Sequence, residues 1–238
     1  MEIHAHAHTP RKKWTHYFWE FLMLFLAVFC GFLAENQREH YVENQRAKKF
    51  CLALLEDLQT DTSEIQISKR EIQNFLKTTD VFFEELKKNR QLQSDSILQT
   101  IGAKEIYHYN FFDATMGNYE QIKNSGALRY FDQNIVKKLT IYETGARKLA
   151  QEKQFYQEFL NTVIIPFCTR IANADFLNNA DNPAVSKQWL FIADPDYELF
   201  NQWKNYVYEL RKKQTQHDWA LNRHLKRALE LMEALKQE

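Results

Sequence analysis

The hydrophobic pattern opens on Phe21–Ala34, FLMLFLAVFCGFLA, which carries no charge. It lies between Arg11-Lys12-Lys13 and the polar run Glu35-Asn36-Gln37-Arg38-Glu39. A helix needs about 20 mostly apolar residues to cross roughly 30 Å of hydrocarbon, so this run alone is short. Extended back to Trp14 it reaches that length. Trp14, Tyr17 and Trp19 then suit the interfacial belt, and Glu20 falls at its edge. The pattern predicts a transmembrane anchor over 14–34, preceded by a tail, 1–13. Three other readings compete. A cleaved signal peptide shares the basic start and apolar core, but Phe32 stands where cleavage needs a small residue. A lipoprotein signal fails for a similar reason, because Phe29 precedes Cys30. A buried core helix is the remaining alternative.

Beyond the anchor the pattern becomes one of stripes. From Glu35 to Arg90 there is no Gly or Pro. Apolar residues recur every seven positions at Cys51, Leu58, Ile65, Ile72 and Leu86, with Thr79 completing the row. Leu55, Leu76 and Phe83 form a second row, interrupted by Thr62 and Lys69. This coiled-coil-like spacing predicts a helix over 35–90 continuing from the anchor, with a break near Thr60–Ser63 as the alternative. Asn89–Asp95 reads as a turn. Short helices are expected over 96–126, with Thr115 or Asn118 as a cap and Gly126 as a left-handed end. A helix over 132–173 starts at Asp132 or Asn134. It carries Ile135, Leu139, Tyr142, Ala146, Leu149, Tyr156, Leu160, Val163 and Phe167 on one stripe. Pro166 is expected to kink or end it. Ala174–Ser186 reads as a loop, and Asp194-Pro195 opens a last helix over 195–236. Three long amphipathic helices cannot bury their stripes alone. The predicted fold is therefore all-α: a transmembrane helix continuing into an elongated antiparallel bundle, with 35–238 as the soluble domain.

Composition narrows the partners. The chain has 31 Lys+Arg and 31 Asp+Glu, which argues against nucleic acid. Only 5 Gly and 4 Pro argue against a loop-rich or all-β domain. The 18 Phe and 11 Tyr predict an aromatic core. Near the span, the cluster Arg11, Lys12 and Lys13 outweighs Arg38 and the more distant Arg46, Lys48 and Lys49. This places the tail in the cytoplasm and the domain outside.

Two segments carry a resemblance. The anchor followed by ENQRE, and Thr115–Leu128 with NYEQIKNSGALR at its heart, resemble a group of bacterial single-span inner-membrane proteins with a domain of unknown function. In that group a polar helix ending in Ser-Gly or Thr-Gly precedes a hydrophobic position and a new helix. Tyr119, Ile122, Ser125, Gly126 and Leu128 fill those positions here. The resemblance fades after about Pro166 and does not extend to MEIHAHAHTP. It implies an inner-membrane anchor with a helical domain, and it brings no activity.

Candidate chemistry is sparse. His4, His6 and His8 alternate with small residues, so an extended tail presents three imidazoles on one side as a weak metal site, or simply a solvated tail. Glu20, an ionisable residue at the edge of a span, is a candidate for proton relay or oligomer pairing, against snorkelling with Lys12 or Lys13 nearby. His217 and His224 share a helix face, either as ligands or pH-sensitive contacts, or as hydrogen-bonded residues at a core margin. Glu105, His108 and Asp113 sit in an aromatic segment that lines a pocket or fills a core. Cys51 and Cys168 form a disulfide in an oxidising periplasm, or remain two buried thiols. There is no GxSxG, HExxH or CxxC, and no glycine-rich phosphate loop with Lys. No catalytic residue and no cofactor is expected. The leading expectation is a membrane-anchored helical scaffold or interaction module with lipid and protein partners, oligomeric or part of a membrane complex. The alternative is a ligand-sensing bundle acting through a partner, with a pocket near Tyr107–Phe112 or between Tyr142, Tyr156 and the last helix. An enzyme with an unrecognised site is third.

Overall fold

The computed structural model describes residues 14–88, 111–171 and 198–237. Among these residues the protein is all-α. Helix α1 spans Trp14–Lys88. A short helix α2, Gly117–Asn124, and a 3₁₀ turn, Ala127–Tyr130, follow. Helix α3, Gln133–Phe159, passes through a π-helical turn at Leu160–Ile164 into α4, Ile165–Ile171. Helix α5 spans Glu198–Leu235. The expected turn at 89–95, the helix at 96–102, the loop at 174–186 and the helix start at Asp194-Pro195 lie outside the described residues. The chain divides into two compact units, Met1–Lys49 and Phe50–Glu238.

In the first unit, α1 carries one helix long and apolar enough to cross a membrane. Its most apolar stretch has a mean hydropathy of 2.0, and none of it is buried. Phe21, Phe25 and Phe29 stack along one side, with ring centroids 6.3 and 5.9 Å apart.

In the second unit, α1 presents two heptad-spaced rows to the core. Cys51, Leu58, Ile65, Ile72 and Thr79 are buried, as the first predicted row requires. The second buried row is Leu54, Asp61, Ser68, Phe75 and Phe82, not Leu55, Leu76 and Phe83, which are only partly buried. The two true rows alternate by three and four residues, the spacing that keeps one face of a helix toward its neighbours. The predicted row missed because polar Asp61 and Ser68 occupy core positions. Nor does α1 break at Thr60–Ser63. The hydroxyls of Thr60, Thr62 and Ser63 donate back to the carbonyls of Glu56, Gln59 and Gln59, so the polar side chains are satisfied within the helix.

Three core clusters give the topology. The first joins Cys51, Leu54 and Leu58 of α1 to Tyr119 and Ile122 of α2, Ile135 to Tyr142 of α3, and Ala228 to Leu235 of α5. The middle one joins Ile65 and Ile72 to Phe112, Leu149 and Leu221. The last joins Phe75 and Phe82 to Tyr156, Phe167, Cys168, Trp203 and Leu210. Residue numbers rise together along α1 and α3 and fall along α5. The last helix is therefore antiparallel to both others, while α1 and α3 run parallel. The connection from Phe111 to Phe131 travels back from the last cluster, past the middle one, to the first. Each fully buried Leu, Ile or Phe in these clusters contributes about 1.5–3 kcal/mol. The last cluster is the aromatic one, with Phe167 stacked on Trp203 at 6.2 Å and edge-on to Tyr206 at 4.9 Å.

Pro166 does not end the third predicted helix. The π turn just before it makes the wider bond from the Ile165 N–H to the Leu160 carbonyl. Pro166 then falls in the first turn of α4, where its missing N–H and its ring are accommodated. Asp132 caps α3 as expected, accepting from the Asn134 N–H at 2.7 Å. Thr115 and Asn118 do not cap α2. Met116 occupies that position without a side-chain bond, because the donors of Thr115 and Asn118 turn toward α1.

Gly126 ends α2 at φ +72°, as its sequence position implies. A side chain there meets backbone strain rather than neighbours. Gly126→Ala is expected to destabilise the protein by about 1 kcal/mol, read as a lower denaturation midpoint of the detergent-solubilised chain; an unchanged midpoint contradicts it.

Candidate functional site

Asp61 is 1% exposed and sits where a heptad row demands an apolar residue. Its carboxylate accepts from the Thr115 N–H at 2.9 and 3.2 Å, and from the Tyr142 hydroxyl. One turn away on α1, Asp57 accepts from the Asn118 side-chain amide at 2.9 Å. Two carboxylates of α1 thus take the polar groups at the start of α2, while Tyr142 brings α3 to the same point. Burial, followed by the charge of Asp61, pushes the Tyr142 phenol above its usual range, so it stays a neutral donor. Burial also raises the Asp57 carboxyl. Its Asn118 bond opposes this rise, and the nearby Asp61 charge adds to it.

His224 of α5 completes the cluster. It stacks on Tyr142 at 4.4 Å and lies 5.6 Å from Phe112. It is 1% exposed, and neither ring nitrogen has a hydrogen-bond partner among the described residues. Burial, and then the Arg227 charge, push its pKa down to about 4, so the imidazole is neutral at pH 7. Gly145 makes the room for it. A Cβ at that position would stand 2.6 Å from His224 Nδ1 and 2.8 Å from the Arg227 guanidinium. This cluster binds three helices and the returning chain to one another through side chains enclosed in the core.

The other histidine, His217, is buried beside a cleft of about 690 Å³ between α3 and α5. Its Nδ1 lies 3.6 Å from Glu152 and its Nε2 has no hydrogen-bond partner among the described residues. Phe111 packs edge-on against both His217 and Tyr156, at 5.3 and 5.1 Å. Gln214 donates to the Tyr156 hydroxyl at 3.1 Å. The cleft also takes in Phe155, Lys213, Trp219 and Arg223. The two histidines are therefore core residues as their shared face implied, but they lack the hydrogen bonds expected at a core margin.

The remaining candidates scatter. His4, His6, His8, Glu105 and His108 lie outside the described residues. Among the described residues no three His, Cys, Asp or Glu side chains group as a metal site. Glu20 pairs with His16 one turn back, at 3.1 Å, with both side chains about half exposed. Asp113 pairs with Lys153 at 2.5 Å. Cys51 and Cys168 are buried thiols in different core clusters, at opposite ends of the second unit's stack, so the disulfide reading fails on geometry. Asp57 and Asp61 were not singled out in the sequence. The available signal was a carboxylate in heptad register with Leu54, Phe75 and Phe82.

Asp61→Ala removes the acceptor of two buried donors and is expected to cost about 2–5 kcal/mol, against about 1–3 for Tyr142→Phe. Chemical denaturation of the two variants checks the order, and equal costs would contradict it. His224 gives the stability a pH dependence. The unfolded imidazole takes up its proton near pH 6.5 and the folded one only near pH 4. This contribution is thus lost as pH falls from about 6.5 to 4, by on the order of 3 kcal/mol. Asp57, with its raised pKa, works in the opposite sense, so the measurement is the difference between wild type and His224→Phe across that range. Parallel curves would remove the assignment. No protein-family model, curated protein or solved structure matches the chain, so the cluster and the cleft are read from their own geometry.

Proposed function

We propose that the protein is a membrane-anchored helical interaction module rather than an enzyme. In this reading the apolar start of α1 is a single-pass anchor, with the N-terminal side in the cytoplasm and the bundle in the periplasm of a bacterial inner membrane. That agrees with the inner-membrane group its anchor and NYEQIKNSGALR segment resemble. The observation that carries the reading is exposure. Leu24 is 71% and Phe32 68% exposed in a stretch of mean hydropathy 2.0. A helix this apolar in a water-soluble protein turns into its own core, and one left bare needs lipid or another chain around it. The heptad rows of the same helix are already used by α3 and α5, so the apolar start is the part left to an outside partner. The protein then serves by presenting the bundle to a second copy or to another membrane protein.

Alkaline extraction of membranes tests the anchor: the protein is expected to stay in the pellet until detergent is added, and release without detergent overturns it. A reporter fused after Glu238 is expected to be active only in the periplasm, and cytoplasmic activity reverses the orientation. Crosslinking in native membranes is expected to capture a dimer or a heterologous membrane protein. Monomers alone would sink the interaction role.

A further inference from the structure

We infer that the cleft between α3 and α5 is a binding site for a small aromatic carboxylate. Its volume of about 690 Å³ suits a ligand of drug-like size. Two large aromatic rings at the cleft are left in solvent, Phe155 at 69% and Trp219 at 67% exposed. One such residue is ordinary, but two flanking the same cleft with Tyr156 and Phe111 make a surface for a flat ring.

The charges select the other half of the ligand. Arg223 lines the cleft and has no ion-pair partner among the described residues, and Lys213, nearly three turns earlier on α5, also lines it and lies over the Phe159 ring at 5.0 Å. A guanidinium is the side chain best shaped to receive a carboxylate through two parallel N–H bonds. The opposing charge, Glu152, already faces His217 Nδ1. As a donor, the buried His217 Nε2 lacks an acceptor among the described residues. An anionic group in the cleft supplies that acceptor. A cationic ligand would meet Lys213 and Arg223 instead.

Calorimetric titration of the full chain in lipid nanodiscs, with empty nanodiscs as the blank, tests the site. The probes are 1-naphthoate, octanoate and 1-naphthylmethylammonium. Saturable binding of 1-naphthoate at sub-millimolar concentration is expected, with octanoate and the ammonium probe each weaker by about tenfold or more. Trp219→Ala and Arg223→Gln are each expected to weaken naphthoate about tenfold. Both substituted side chains are exposed, so unfolding midpoints should not move. Four results would each overturn the inference: absence of saturable binding at millimolar naphthoate, equal affinity for octanoate, preference for the ammonium probe, or unchanged affinity in both variants.

Discussion

The fold depends on one buried carboxylate finding enough donors. Asp61 stands on the core face of α1, where only an apolar residue would be free of obligation. A buried carboxylate is costly unless hydrogen bonds replace its water. The replacements come from Thr115, 54 residues along the chain, and Tyr142, 81 residues along. These contacts fix what apolar packing leaves loose. Leucine and isoleucine stripes tolerate sliding by a turn, whereas a carboxylate that must meet one backbone N–H and one phenol sets the helices in a single register. Asp57 and Asn118 repeat the tie one turn away, and Arg211 makes a similar one from α5, donating to Thr79 at 3.2 Å and pairing with Asp80 at 2.7 Å.

The parallel run of α1 and α3 explains why such ties fall where they do. The chain must return along the second unit before α3 can start, and part of that return is not helical. Its backbone N–H groups have no ladder to join and need acceptors from elsewhere. The acidic residues of α1 provide them, so the start of α2 is held by side chains of another helix rather than by a cap of its own.

The sequence revealed the helices more readily than their partners. The all-α fold, the Gly126 stop, the Asp132 cap and the row from Cys51 to Thr79 follow from spacing and turn chemistry. These are local, and residues a few positions apart decide them. The second row of α1 was misread because Ser68 looks like a surface residue, and so does Asp61 until Tyr142 and Thr115 are brought beside it. Of the two outcomes expected at Pro166, a kink or an end, the chain does not end there, and the π turn that absorbs the proline leaves no trace in residue type. The cleft was half visible, as Tyr156 and the last helix were expected to bound a pocket. Glu152, Trp219 and Arg223, however, meet only when α3 and α5 are packed.

The π turn at Leu160–Ile164 has an effect beyond sparing Pro166. On an α-helix each residue advances the side chains by about 100°. Tyr156, Leu160, Ile164 and Cys168 are spaced by fours, and such a row drifts steadily around an ordinary helix. The wider turn removes much of that drift where it occurs, so all four side chains stay in the core. It works as a vernier between two halves of a long helical path, letting the Tyr156 end follow α1 while the Phe167 end is phased to Trp203.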